Sequence, residues 1–306
     1  MSTFESAWAA YRAAERRLPP APAGLPAPQW VDGLRPLLAL GRYDAIVLDA
    51  WGVLNLGEAP IGSAVAAFQA IRDTGVPLRI LSNDGSSDPE AAAARHTRRG
   101  FPVRSEEIVF GLDLLADALA TLHLSPRRCA LIAPRPAPFA AVTAEMLDFD
   151  TPAASDADAF VYLSTVGYTP ETHTRLESLL RARPRPLLVG NPDIVSPSVD
   201  GLEIEPGHFA HLLADATGVE PVFLGKPSPA IYTRLLKTLP PHLTDHPERV
   251  LCVGDTPHTD ILGAAAAGHD TLLVLGGLMR GAESPDSAVA LCEAAGLRPT
   301  WVAPEI

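Results

Sequence analysis

Tyr43–Gly57 reads YDAIVLDAWGVLNLG. Its apolar run, Ala45-Ile46-Val47-Leu48, is too short for a helix and matches a parallel strand buried on both faces. The run ends on a carboxylate, Asp49, and Gly52 then frees the backbone to turn. Ligands of open α/β sheets bind outside the carboxyl ends of the strands, so Asp49 stands where a reacting group belongs.

The same alternation continues downstream. Ser63–Asp73 reads as a helix stopped by Gly75. Val76–Leu81 reads as a second buried strand, closing in Ser82-Asn83-Asp84-Gly85. Ser87 or Asp88 caps a helix that opens on Pro89 and ends before Gly100. This βαβα pattern predicts a doubly wound parallel sheet. A second α/β block runs from about residue 106 to 205. It holds helices at Leu112–Leu122 and Pro170–Ala182, strands at Cys129–Ala133, Ala159–Ser164 and Pro186–Val189, and a Pro/Ala-rich stretch after Ala133. The last strand leads into Gly190-Asn191-Pro192-Asp193. The first rhythm then resumes. Strands at Pro221–Leu224 and Arg249–Val253 reach Gly225-Lys226-Pro227 and Gly254-Asp255, with helices at Gly207–Thr217, Pro229–Thr238 and Thr259–Ala267 around them. A strand at Thr271–Leu275, a helix at Pro285–Ala295 and a short strand at Thr300–Val302 finish the chain.

Upstream of the opening stretch, residues 2–18 carry Phe4, Trp8 and Tyr11 at helical spacing, and residues 19–28, PPAPAGLPAP, form a Pro-rich linker. The expected organisation is therefore residues 1–40 as helix and linker, 41–105 with 206–306 as one core domain, and 106–205 as an inserted domain.

A length of 306 residues with 47% hydrophobic and 20% charged residues fits a two-domain globular protein with a large core. A net charge of −12 argues against a general nucleic-acid surface and against docking on anionic lipid, but leaves small anionic substrates open. Cys129, Cys252 and Cys292 are too few and too scattered for a disulfide framework or a metal knuckle, and read as small apolar residues in a reducing cytoplasm. No window is long and apolar enough to span a membrane. The first residues lack a signal-peptide core.

Four strand ends carry polar residues: Asp49, Ser82-Asn83, Lys226 and Gly254-Asp255. Asp260 follows in the first turn of the next helix. In a parallel sheet all carboxyl ends meet on one rim, so three carboxylates, one hydroxyl and one ammonium converge there. Clustered acids repel unless a cation sits among them, and an all-carboxylate set without Cys or His suits a hard ion, most simply Mg²⁺. Lys226 would neutralise part of the remaining charge and hold a phosphate. A carboxylate beside Mg²⁺ can attack phosphorus in line and form an aspartyl-phosphate.

In order, IVLDAWGVL, ILSN, GKP and VGDTPHTD resemble motifs I to IV of the haloacid dehalogenase hydrolase superfamily. The insertion between ILSN and GKP resembles the C2 cap of its class IIA branch, the NagD-like and p-nitrophenylphosphatase-like proteins. GNPD at 190–193, KPSPAIY at 226–232, DTPHTDILGA at 255–264 and the terminal PTWVAPEI strengthen the likeness, which begins near residue 43. It implies an α/β fold, a Rossmann-like core with an inserted α/β cap. It also implies a Mg²⁺-dependent phosphohydrolase or phosphotransferase acting on a small phosphorylated metabolite. Carried onto this chain, Asp49 is the nucleophile and a metal ligand, Ser82 binds phosphoryl oxygens, and Lys226 orients Asp49 and the phosphate. Asp255 and Asp260 hold Mg²⁺, directly or through water, with the backbone carbonyl of Trp51; the candidate substrate contacts are Asn83 and the Trp51 side chain.

One position departs from the family. Its phosphatases place an acid two residues after the nucleophile, to protonate the leaving oxygen and later activate water. Here that residue is Trp51, which does neither. Losing a general acid/base costs roughly 10²–10⁴-fold in rate, or about 3–5 kcal/mol of barrier. Activated leaving groups, such as acyl phosphates or phosphoanhydrides, suffer least. An alternative is a binding or regulatory protein that keeps the site without turnover. A weaker one is a dehalogenase, since superfamily dehalogenases carry an aromatic in their DAYGT motif but need no metal. Trp51 reads equally as core packing or as a wall over the substrate. His258 reads as a solvated loop histidine, and Asp84 as a turn residue. The basic groups Arg95/His96/Arg98/Arg99 and Arg181/Arg183/Arg185 complement helix dipoles. His208 and Asp193 are weaker candidates to face the site from the cap side. The apolar N-terminal helix or a broad cap could each form a homodimer interface.

Overall fold

The computed structural model describes residues 3–123, 127–133 and 144–306. Most of the Pro/Ala-rich stretch after Ala133 lies outside these. Seven parallel strands form the main sheet, in the order Gln29–Trp30, Trp301–Ala303, Asp270–Val274, Val250–Gly254, Ala45–Leu48, Leu78–Ser82 and Ile108–Phe110. The opening strand, Ala45–Leu48, is central and wholly buried. From it the chain winds outward to Leu78–Ser82 and Ile108–Phe110. It then returns to Val250–Gly254 on the other side and winds outward again. The direction reverses between Ala45–Leu48 and Val250–Gly254, which pair directly through Val253 and Leu48. Such a switch point opens a crevice at the strand ends, where ligands of doubly wound folds bind. Asp49 and Asp255 flank it.

Local signals account for the flanking helices. Gly62–Thr74 ends on Gly75 in the left-handed conformation, φ 71°. Pro89–Arg98 starts on Asp88, whose carboxylate accepts from the Ala91 N–H at 2.7 Å. One face of the main sheet buries Ile46, Leu48 and Ile80 with Phe68 and Phe101.

A second sheet of five parallel strands runs Val222–Phe223, Leu187–Val189, Ala159–Tyr162, Arg128–Ile132, Glu145–Asp148. It is packed on the main unit, because one apolar cluster joins Val47, Leu81 and Val109 of the main sheet to Ala159, Val161 and Leu188 of the second. Its outer face buries Phe160 and Leu187 with Ala210 and Leu213 of the helix Pro206–Thr217.

Element membership crosses the limits that sequence rhythm implies. The strand Ile108–Phe110 belongs to the main sheet, whereas the helix Pro206–Thr217 and the strand Val222–Phe223 pack with the second. Gln29–Trp30, from the first 40 residues, closes the edge of the main sheet against Trp301–Val302. Pro and Gly punctuation marks where elements end and is silent on which sheet they join. Among the described residues no helix is long and apolar enough to cross a membrane. All three cysteines are buried and free.

Candidate active site

Three consecutive features aim Asp49 and its neighbours. The strand Ala45–Leu48 carries Asp49 to the rim, and the Asp49 N–H still donates to Val253 O at 2.9 Å. The chain then turns through Gly52 at φ 87°, where any side chain would be strained. A methyl at Gly52 would also stand 2.2 Å from Asp255 Oδ2, so the glycine makes room for that carboxylate. Across the crevice, Val250–Gly254 delivers Asp255, and Pro257–Ile261 forms a widened helical turn. Asp260 reaches back from this turn and accepts the Thr256 N–H at 3.0 Å. A side chain at Gly254 would collide with Asp260, its Cβ standing 2.1 Å away.

Asp49, Asp255 and Asp260 each offer an oxygen within 4.8 Å of the others, and all three are buried. Lys226 Nζ donates at 2.6 Å to both Asp49 Oδ1 and Asp260 Oδ1. Asp255 is fixed by other donors, the Leu278 N–H at 2.6 Å and the Thr256 hydroxyl at 3.1 Å. One ammonium thus faces three carboxylates. Burial pushes Asp49 up to about 7, against the pull of Lys226, with Asp260 and Asp193 adding to the rise. Burial, then Asp260 and Asp49, lift Asp255 well above the carboxylate range. Burial would lower Lys226, but Asp260, Asp49 and Asp193 outweigh it and hold the ammonium charged. The site is short of positive charge, and its donors are all hard oxygens. That donor set fits a divalent cation such as Mg²⁺.

Ser82 ends its strand at the same rim, and its hydroxyl accepts the Asp84 N–H at 3.1 Å. Asn83, a candidate substrate contact in the sequence, is engaged with the lysine segment. Its Oδ1 accepts the Lys226 N–H at 2.8 Å and its Nδ2 donates to Lys226 O at 3.2 Å, so it sets the lysine backbone. Trp51 is half-buried against the core, with the Arg99 guanidinium 5.4 Å from its ring centroid. Arg99 also pairs with Glu58 at 2.6 Å. Asp84, read as a turn residue, does accept from Ser86 in its own loop, and it pairs with Arg95 as well. Arg95 therefore does more than complement a dipole.

His258 corrects a sequence reading. It is fully buried, with Trp8 edge-on at 4.9 Å and Tyr11 stacked at 5.0 Å. Burial, aided by Arg12, pushes its imidazole down to about 3, so it is neutral. A loop position does not reveal that a helix from the far end of the chain will cover it. The available signal was the Phe4, Trp8, Tyr11 stripe, which needed a partner surface. Asp193, a weaker candidate in the sequence, lies close enough to Lys226 and Asp260 to feel both; burial first, then Asp260, raise it to about 6.

Two family models match the chain. The haloacid dehalogenase-like hydrolase model matches residues 46–144 and the related HAD-hydrolase-like model residues 223–306. The chain is 28% identical over 235 residues to the dihydroxyacetone phosphatase of Corynebacterium glutamicum, covering 77% of this chain and 82% of that one. A possible sugar phosphatase structure from Cytophaga hutchinsonii shares the fold, with a TM-score of 0.77 at 24% identity over 91% of this chain and 98% of that one. The glycerol phosphate phosphatase of Mycobacterium tuberculosis, solved with magnesium, superimposes with a TM-score of 0.66 at 25% identity, over 86% of this chain and 75% of that one.

Proposed function

Since this chain belongs to the haloacid dehalogenase-like hydrolases and resembles phosphatases over 77–86% of its length, we propose that it is a Mg²⁺-dependent phosphatase that transfers a phosphoryl group to Asp49. The observation that carries this reading is the meeting of Asp49, Asp255, Asp260 and Lys226 at the switch point of the sheet. Asp49, with Asp255 and Asp260 directly or through water and the Trp51 backbone carbonyl, would hold the cation. Bound there, Mg²⁺ supplies charge neutralisation for the phosphoryl oxygens and for the carboxylate cluster.

The chain's own groups do the rest. An Asp49 carboxylate oxygen attacks phosphorus in line, and the bond to the leaving oxygen breaks. Lys226 holds Asp49 in one rotamer and offsets charge on the phosphoryl oxygens. The Ser82 hydroxyl donates to one of those oxygens. Water then attacks phosphorus in the aspartyl-phosphate, releasing phosphate and regenerating Asp49. Trp51 puts no acid beside the leaving oxygen. The substrates best served are therefore small metabolites whose leaving group needs little protonation, such as acyl phosphates. The unit built on the second sheet would act as the cap, closing over the site and excluding water.

Trp51 also favours a second reading, a protein that binds a phosphorylated metabolite without turning it over. A phosphate-release assay with and without Mg²⁺ separates the two. Release that requires Mg²⁺ and vanishes in Asp49→Asn supports the enzyme. Binding without release by the parent, with release appearing in Trp51→Asp, supports the binder. A metal-free dehalogenase is disfavoured by the three buried carboxylates, a donor set suited to a cation that such chemistry would not use.

A further inference from the structure

The helix Phe4–Ala14 and the turn Glu15–Arg17 lie outside both family matches, yet they touch both units of the molecule. On the main unit, Phe4 seats on Gly281, where a methyl would stand 2.4 Å from the Phe4 Cβ. Trp8 and Tyr11 enclose His258, which lies between Asp255 and Asp260 in the chain. The Tyr11 hydroxyl accepts the Ile194 N–H at 3.2 Å, next to Asp193, in the segment between the second-sheet strand Leu187–Val189 and the helix Pro206–Thr217, where Ile194 also packs with Leu273 and Val302 of the main sheet. Arg17 pairs with Asp215 at 2.6 Å and with Glu220 at 2.7 Å, and Arg16 also pairs with Asp215. The Arg17 side chain is almost wholly buried, while its two carboxylates are exposed.

We propose that the N-terminal segment Phe4–Arg17 is a strap that fixes the second unit against the main one and seats the Asp255–Asp260 loop, with Tyr11 as the positioning residue that joins the two. The proposal rests on the reading of Asp49, Asp255 and Asp260 as the reacting site. Tyr11 is suited to the task because its two ends do different work. Its ring stacks on the loop that carries the carboxylates, and its hydroxyl holds the backbone beside Asp193. The arginines extend the grip to the helix Pro206–Thr217 and the residues after it. A second unit that opens to admit substrate must release these contacts. The strap thereby sets how readily the site is entered, and the stack sets how well its loop is held.

The test is hydrogen exchange read by mass spectrometry on the full-length chain without added metal, together with phosphate-release kinetics. Tyr11→Phe keeps the ring and removes the hydroxyl. Exchange at Ile194 should quicken about fivefold, while residues 256–262 stay at the parent rate. Tyr11→Ala should quicken both segments. Replacing Arg16 and Arg17 together by Ala should quicken exchange across 206–223 about two- to fivefold and shift KM with little change in kcat, and Arg17→Lys should restore much of the difference. Parent exchange rates in both segments of Tyr11→Ala would overturn the proposal, as would a uniform rise over the whole chain, the mark of a merely structural helix. The exchange pattern appearing in a parent that releases no phosphate supports the strap and defeats the phosphatase reading. Turnover with no local exchange change does the reverse.

Discussion

Lys226 Nζ stands 2.6 Å from Asp49 Oδ1, although the two residues are 177 positions apart in the chain. Both are buried, and Asp260 shares the same ammonium at 2.6 Å. Removing one partner of a buried ion pair leaves a charge without compensation, and the other carboxylates of the cluster would feel it too.

Lys226→Met should therefore destabilise the metal-free chain by about 3–5 kcal/mol. Mg²⁺ should recover part of the loss, since a cation can take over the neutralisation. Denaturant unfolding with and without Mg²⁺ measures both. Equal stability of parent and variant would contradict the coupling.

Asp49→Asn should remove phosphate release to below roughly one part in 10³ of the parent, since it takes away the nucleophile itself. The fold should survive, because the amide keeps the shape of the carboxylate. Single-turnover assays with circular dichroism as control check this.

Trp51→Asp should raise turnover of unactivated phosphate esters by roughly 10²–10⁴-fold, the usual worth of a general acid/base. Acyl phosphates should gain much less in the first step. An equal gain for both substrate types would show that the residue acts through packing, given its place under Arg99.

Gly52→Ala should abolish Mg²⁺ binding by calorimetry while phosphate-independent structure persists. The methyl would meet Asp255 Oδ2 at 2.2 Å and strain the backbone at φ 87°. Parent-like Mg²⁺ affinity would mean that Asp255 does not hold the ion.

Mg²⁺ affinity should fall with pH below about 7, the level to which burial lifts Asp49. The ion needs the carboxylate without its proton, so binding should release protons near neutrality. The sign for stability is opposite to that of an ordinary paired acid. The folded metal-free chain holds the Asp49 proton more tightly than the unfolded chain does. Stability should thus be greatest at low pH from this group and decline as pH rises from the usual carboxylate range through 7. Adding Mg²⁺ should offset that decline at pH 8 and have little effect at pH 5. Thermal melts across this range decide it.

Much of the site was legible because its residues sit at strand ends, and strand ends carry strong local signals. Asp49, Ser82 and Asp255 each follow an apolar run bounded by Gly or Asn, and a parallel sheet must gather such ends on one rim. The helix Pro170–Ala182 was read to the residue because Thr169, Pro170 and the apolar period agree. The strands Ile108–Phe110 and Glu145–Asp148 were missed, being short and lacking clear period or turn residues. The job of Asn83 and the burial of His258 depend on partners more than 140 positions away, Lys226 and Tyr11, and no local pattern encodes that. Sheet membership of Val222–Phe223 is a choice between two edges that two residues cannot reveal.

The pairing of Ala45–Leu48 with Val250–Gly254 has a consequence for biosynthesis. A chain emerging from the ribosome presents Asp49 and Ser82 well before Lys226, Asp255 and Asp260. The second unit is made in between. Until residue 260 has been translated and has found its place, Asp49 stands without Asp260 beside it and the carboxylate cluster around Lys226 is incomplete. Long-range closure of this kind is slow, and here it delays assembly of the site. The carboxylate cluster is complete only once residue 260 has been made.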